Sequence, residues 1–70
     1  MKSFLTLSLN GESKTYPTPL SVAALLGLLE LDIRKVAVER NEEIVPRSIY
    51  TQTWLAAGDQ LEIVHFIGGG

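Results

Sequence analysis

The sequence contains no cysteine and only one histidine among its 70 residues. Without cysteine the chain forms no disulfide and offers no side-chain thiol for catalysis. A structural zinc site needs four nitrogen or sulfur ligands, so we expect no metal site. Because 46% of the residues are hydrophobic, the chain should still fold around a core. These features favour a folded protein of the reducing cytoplasm.

Long apolar runs are also missing. The apolar stretch at residues 20–31 is shorter than the roughly 20 residues needed to cross a bilayer. Residues 1–10 hold a lysine and several leucines, but polar residues interrupt them and no small-residue cleavage site follows. We therefore expect neither a membrane segment nor a signal peptide. The net charge of −2 argues against nucleic acid as the main partner.

The first half of the chain predicts a hairpin and a helix. Leucines alternate with polar residues over residues 5–9, Asn10-Gly11 is a strong turn signal, and residues 12–16 read as the returning strand. Ser21 is a suitable N-cap for a helix over residues 22–30. One apolar face of that helix is formed by residues at three- and four-residue spacing. They are Val22, Leu25, Leu26 and Leu29.

The second half predicts three more strands. VAVERN alternates over residues 36–41, Ile44-Val45 is a short strand after a turn at residues 41–43, and residues 60–66 alternate again. The order of elements predicts an α+β domain of two layers, with the first and last strands as central neighbours. The predicted core is the set of apolar residues facing the helix. It comprises Leu5, Leu7, Val22, Leu25, Leu26, Leu29, Val36, Val38, Leu61 and Ile63.

The residues that could perform catalysis are few. His65 falls on the same strand face as Leu61 and Ile63, which predicts a partly buried histidine rather than a general base. Glu42 and Glu43 lie in a predicted turn and read as a solvated loop tip. A serine-dependent hydrolase stays open as an alternative, although so small a domain leaves little volume for a pocket that excludes water.

The sequence ends in Gly68, Gly69 and Gly70. A glycine loop that holds phosphate needs a following helix, and none follows here. Glycines lack a Cβ, so these three can extend through a narrow channel over roughly 10 Å. The functional group at their end is the carboxylate of Gly70, which we expect to be delivered into the active site of another protein.

Several segments resemble the sulfur carrier family of thiamine biosynthesis, ThiS. They are LNG, SVAALL, VAVERNEEIVPRS and GDQLEIVHFIGGG, and together they extend over essentially the whole chain. The resemblance implies a ubiquitin-like β-grasp fold: a mixed sheet of four to five strands on one main helix. It implies a domain over residues 1–67 and a flexible glycine tail over residues 68–70. Trp54 departs from the smaller aliphatic residue expected at that position.

The resemblance also implies a mechanism in which this chain is a co-substrate and not an enzyme. A ThiF-like adenylating enzyme would use ATP to join AMP to the carboxylate of Gly70. A cysteine desulfurase or related donor would replace AMP with sulfur, leaving a thiocarboxylate. A thiazole synthase, ThiG-like, would accept the sulfur. No bound cofactor is expected, and the chain alone should be a monomer. A carrier for molybdopterin or tRNA thiolation, and a ubiquitin-like protein modifier, are the alternatives.

A partner surface is expected beside the tail. Strand alternation sends Phe4, Ala37, Val64 and Phe66 to the sheet face opposite the helix. A contiguous exposed apolar patch marks a binding site. We therefore expect these four residues, with Ile67, to form the partner interface.

Overall fold

A computed structural model describes residues 3–66. It contains five strands, one α-helix and two short 3₁₀ segments. The strands are β1 (Phe4–Leu9), β2 (Glu12–Pro17), β3 (Val36–Arg40), β4 (Glu43–Ile44) and β5 (Gln60–His65). The helix is α1 (Val22–Leu28), and the 3₁₀ segments are Ile33–Lys35 and Arg47–Gln52. The predicted order of elements is confirmed, with one helical segment in the irregular stretch before β5.

The five strands form one sheet in the order β2-β1-β5-β3-β4. β1 pairs with β5 in parallel, and the other neighbours are antiparallel. The sheet is therefore mixed, and the first and last strands are neighbours near its centre, as predicted. This topology carries β5 through the middle of the sheet toward the glycine residues that follow it in the sequence.

Helix α1 begins as predicted and ends earlier than predicted. The hydroxyl of Ser21 accepts a hydrogen bond from the backbone N–H of Ala24 at 3.0 Å, which is the expected N-cap. The regular helix ends at Leu28, because Glu30 adopts a positive φ of 59°. The N–H of Leu31 then donates to the carbonyl of Leu26, the bond of a Schellman ending.

The core lies between α1 and the inner face of the sheet. Most of the predicted members are buried, but Leu29 and Ile63 are only partly buried because they lie where the helix and β1 have ended. The prediction also missed five buried residues, several of them from the irregular second half. These are Leu9, Leu20, Val45, Tyr50 and Leu55. Their burial shows that the segment around Arg47–Gln52 closes one end of the core.

Two local predictions were wrong by small amounts. Strand β4 contains Glu43 and Ile44, because Asn41 and Glu42 alone complete the turn with φ values of 52° and 70°. Glu43 already pairs with Arg40, so it is not part of the loop tip. Gly27 of α1 is exposed, and a Cβ there would meet nothing within 4 Å.

Candidate functional site

Three of the residues predicted for the partner surface lie close together around the end of β5. Val64 pairs directly with Ala37 of β3, and both side chains lie on the sheet face opposite the helix. Val64 is 55% exposed and Phe66 is 47% exposed. The N–H of Phe66 donates to the carbonyl of Lys35 at 2.8 Å, which holds Phe66 beside β3. We call Ala37, Val64 and Phe66 the tail-root patch.

The structure does not place Phe4 with the tail-root patch. In the parallel pairing of β1 and β5, Ser8 lies beside Gln60. Phe4 is four residues before Ser8 and Val64 is four residues after Gln60, so the two lie about 26 Å apart along the strands. The prediction that Phe4 joins this surface was wrong, because alternation fixes the face of a residue and says nothing about its height in the sheet.

The remaining predicted site residues are Ile67, Gly68, Gly69 and Gly70. They lie outside the residues that the structure describes, as does the predicted boundary between domain and tail. Their roles remain predictions. The structure does describe the residues just before them: β5 ends at His65, and the N–H of Phe66 donates to the carbonyl of Lys35, which precedes β3.

A polar cluster around Asp59 fixes the beginning of β5. The buried carboxylate of Asp59 accepts hydrogen bonds from Arg40 Nε at 2.9 Å, Asn41 Nδ2 at 3.2 Å and the N–H of Ala56 at 2.7 Å. Burial alone would raise the pKa of Asp59, but these hydrogen bonds and the charge of Arg40 outweigh it and lower that pKa. The cluster therefore joins the end of β3 to the start of β5 through an ionised carboxylate.

A second carboxylate, that of Asp32, stabilises the turn to which Phe66 is hydrogen-bonded. Asp32 caps the 3₁₀ segment Ile33–Lys35 by accepting from the N–H of Arg34 at 2.9 Å, and it also binds the Arg34 guanidinium. Hydrogen bonds from Arg34 lower the pKa of Asp32 to about 2. This turn orders Lys35, whose carbonyl accepts from Phe66.

Next to the tail-root patch the same sheet face is acidic. Glu39 of β3 and Glu62 of β5 are direct cross-strand partners, and Glu42 lines the same open cavity of about 410 Å³. Like charges directly opposite each other destabilise a sheet slightly. A partner that covers this face would meet an apolar area at the tail root and negative charge beside it.

His65, the one histidine of the sequence, lies at the end of β5. Within residues 3–66 there is no group of three or more histidine, cysteine or acidic side chains placed to hold a metal ion. His65, predicted to be partly buried, is exposed, because neither β1 nor α1 reaches far enough to cover it. No helix in this part of the chain is long and apolar enough to cross a membrane.

Trp54 is an exposed aromatic side chain outside the tail-root patch. It is 57% exposed, and its backbone forms an isolated antiparallel bridge with Ser21. The larger side chain at this position is accommodated because it points away from the core.

Sequence reasoning missed three polar residues that position β5: Asn10, Asn41 and Asp59. Asn10-Gly11 was identified as a turn signal and Asn41 as part of a turn, and both residues do lie in turns with positive φ values. The side chains of Asn10 and Asn41 bond to β5, and that of Asp59 bonds to Arg40 and Asn41. These bonds join segments far apart in sequence, and local patterns carry no signal of such pairs.

Comparison with known proteins identifies relatives across nearly the whole chain. The profile of the ThiS family matches residues 7–70. The chain is 38% identical over 65 residues to the sulfur carrier protein ThiS of Bacillus subtilis. That alignment covers 91% of this chain and 98% of the B. subtilis protein. It is similar in structure to the crystal structure of the thiamine biosynthesis protein ThiS from Geobacter metallireducens, with a TM-score of 0.80 and 33% identity over 94% of this chain and 100% of that one. This match confirms the β-grasp fold.

A longer relative is similar as well. The chain is 56% identical over 66 residues to a thiazole synthase of Paramagnetospirillum magneticum. The match covers 94% of this chain but only 20% of that protein, so the chain spans about a fifth of the length of that relative.

Proposed function

We propose that this chain, which belongs to the ThiS family, carries sulfur for thiazole formation in thiamine biosynthesis. The observation that carries the proposal is the match along residues 7–70, which includes the three terminal glycines. The fold supports it, because β5 crosses the centre of the sheet and leads directly to those glycines. The B. subtilis carrier, matched over nearly its whole length, supports the same function.

The chemistry takes place at the carboxylate of Gly70. A carboxylate oxygen attacks the α-phosphorus of ATP in the active site of a ThiF-like enzyme, and pyrophosphate leaves. The terminal sulfur of a persulfide, formed on a cysteine desulfurase or related donor, then attacks the acyl carbon. The acyl–oxygen bond breaks, AMP leaves and an acyl disulfide forms. A thiol of the donor system then attacks that S–S bond, so that a disulfide leaves and a thiocarboxylate remains. The enzymes supply the catalytic groups, so this chain acts as their substrate.

The sulfur acceptor is a thiazole synthase. Support comes from the P. magneticum relative, a thiazole synthase about a fifth of whose length matches this chain. The tail-root patch lies beside the start of the glycines, so a partner that takes the tail would also cover Val64 and Phe66.

The direct test is intact mass spectrometry of the protein purified from its own cells. The expected species has one oxygen exchanged for sulfur, located on Gly70 by fragmentation. Finding the chain joined through Gly70 to lysines of other proteins, with no thiocarboxylate, would instead identify a protein modifier.

Variants of the tail test the adenylation step. Gly69→Val adds bulk where only glycine fits, and removal of Gly70 withdraws the carboxylate by about 3.5 Å. Since a misplacement of even 1 Å can reduce catalysis on the order of a hundredfold, both should abolish most ATP–pyrophosphate exchange by the ThiF-like enzyme. Gly27→Ala is the matched control, because a Cβ at Gly27 meets nothing within 4 Å. Wild-type exchange in both tail variants would refute the threading mechanism.

A further inference from the structure

The backbone of β5 faces two neighbours in alternation. The N–H of Phe66 donates to Lys35 and the carbonyl of Gln60 accepts from the N–H of Asn41, which identifies the hydrogen-bonded pairs between β3 and β5. In an antiparallel pair, every second residue directs its N–H and carbonyl away from the partner. Leu61, Ile63 and His65 therefore direct these groups toward the side on which β1 lies.

Strand β1 ends before it reaches His65. Its last pairing with β5 joins Leu9 to Leu61, and the N–H of Asn10 then donates to the carbonyl of Leu61 at 2.8 Å. The side chain of Asn10 forms hydrogen bonds with the N–H and the carbonyl of Ile63, two residues after Leu61 in β5. Among residues 3–66 nothing bonds to the N–H or the carbonyl of His65, the next position on this side. Beside the tail root, the centre of the sheet therefore has an edge with which no residue of 3–66 pairs, and we call the backbone N–H and carbonyl of His65 the open edge.

A groove accompanies this open edge on the helix side of the sheet. It has a volume of about 360 Å³, and its lining is largely apolar. The lining residues come from the ends of β1, α1 and β5. They are Leu9, Asn10, Leu29, Leu31, Ile63 and His65. A strand placed beside His65 would direct one side chain into this groove, because successive side chains point to opposite faces.

We propose that the open edge at His65 receives an extended segment of thiazole synthase by β-strand addition. The inference rests on the proposed function, which gives the synthase as the protein that accepts the tail. A free N–H and carbonyl on a strand edge are complementary to another extended backbone, and the groove takes an apolar side chain of that segment. The edge is continuous with the tail, so a synthase that holds the glycines lies next to it.

Amide hydrogen exchange tests this contact residue by residue. In the free chain the N–H of His65 should exchange rapidly, whereas that of Val64, which faces β3, should be protected. In the complex with thiazole synthase the exchange of the His65 amide should slow at least tenfold. Ser13 is the control: its N–H faces the open edge of β2, since the two-residue turn makes Leu9–Glu12 a hydrogen-bonded pair. It should exchange rapidly in both states.

A proline variant tests the same edge by affinity. His65→Pro removes an N–H that has no partner among residues 3–66, so the fold should persist while binding to thiazole synthase weakens about three- to tenfold. Ser13→Pro makes the same change on the distant edge and should bind as wild type does.

The outcomes separate this inference from the function on which it rests. A complex in which the His65 amide still exchanges rapidly overturns the strand addition and leaves the carrier function standing. If the His65 amide is protected in the free chain, and more so at higher protein concentration, a second copy of the chain occupies the edge. That result overturns strand addition by the synthase. Absence of any thiocarboxylate in cells and of any complex with the synthase overturns both.

Discussion

The side chain of Asn10 binds both backbone groups of Ile63, a residue 53 positions away. Its Oδ1 accepts from the N–H of Ile63 at 2.8 Å, and its Nδ2 donates to the carbonyl of Ile63 at 3.3 Å. The carboxamide of Asn10 thus makes the two hydrogen bonds that a next residue of β1 would have made, although the chain has already turned there. It continues the hydrogen bonding along β5 from Leu61 to Ile63, toward the tail.

The first prediction concerns this contact. Asn10 has a φ of 50°, a conformation that glycine adopts without strain, so Asn10→Gly removes the side chain alone. The variant should lose about 1–2 kcal/mol of unfolding free energy, measured by chemical denaturation, and the Ile63 amide should exchange faster. Asn10→Asp keeps the acceptor for that N–H and should lose less. Equal exchange of the Ile63 amide in Asn10→Gly and wild type would contradict the role given to the carboxamide.

The second prediction concerns acid. Asp59 has a lowered pKa in the folded protein, so its contribution to stability is complete above its unfolded pKa of about 3.9 and is lost as the pH falls through the folded pKa. Asp32, with a pKa of about 2, adds to the same dependence. The denaturation midpoint should be steady between about pH 7 and 5 and fall below about pH 4.

Asp59→Asn separates the two carboxylates. It should be less stable at neutral pH, because Arg40 loses its ionised partner, and its stability should depend less on pH below about pH 4. Adding Asp32→Asn should reduce the remaining dependence further. An acid profile identical to wild type in Asp59→Asn would show that this carboxylate contributes nothing to the pH dependence.

Local signals predicted the parts of the fold that depend on neighbouring residues. Alternation located β1, β3 and β5, and Ser21 located the start of α1, because period and capping are properties of short segments. The end of α1 was missed, since Glu30 holds a left-handed position where a glycine would have given a signal. Phe4 was misplaced because the parallel register between β1 and β5 is not encoded within either strand.

The third prediction follows from the end of α1. Because Glu30 has a φ of 59° as the residue after the C-cap Leu29, Glu30→Gly should stabilise the domain by up to about 1 kcal/mol in chemical denaturation. Glu30→Ala removes the same carboxylate but keeps the Cβ, so it should give no such gain. A gain of equal size in the alanine variant would assign the effect to charge instead of backbone conformation.

The fourth prediction concerns the core face of α1. Leu26 is 1% exposed, and its truncation to alanine should cost about 2–5 kcal/mol, a large part of the stability of so small a domain. Leu28 is 59% exposed on the same helix, so Leu28→Ala should change the unfolding free energy by less than about 0.5 kcal/mol. Denaturation midpoints measure both. A wild-type midpoint for Leu26→Ala would contradict the packing of this face.

The last prediction concerns the tail-root patch, whose role as the partner interface is still to be tested. Phe66 and Phe4 are both exposed phenylalanines on the outer face of the sheet, but only Phe66 lies beside the tail. Aromatic residues are frequent anchors of interfaces, so Phe66→Ala should weaken binding to both the ThiF-like enzyme and thiazole synthase by more than about 1 kcal/mol. Phe4→Ala removes the same ring far from the tail and should leave both affinities unchanged. Titration calorimetry with each partner, and then with both together, measures this. Since one face would serve both partners, a ternary complex, or equal losses in the two variants, would refute the shared surface.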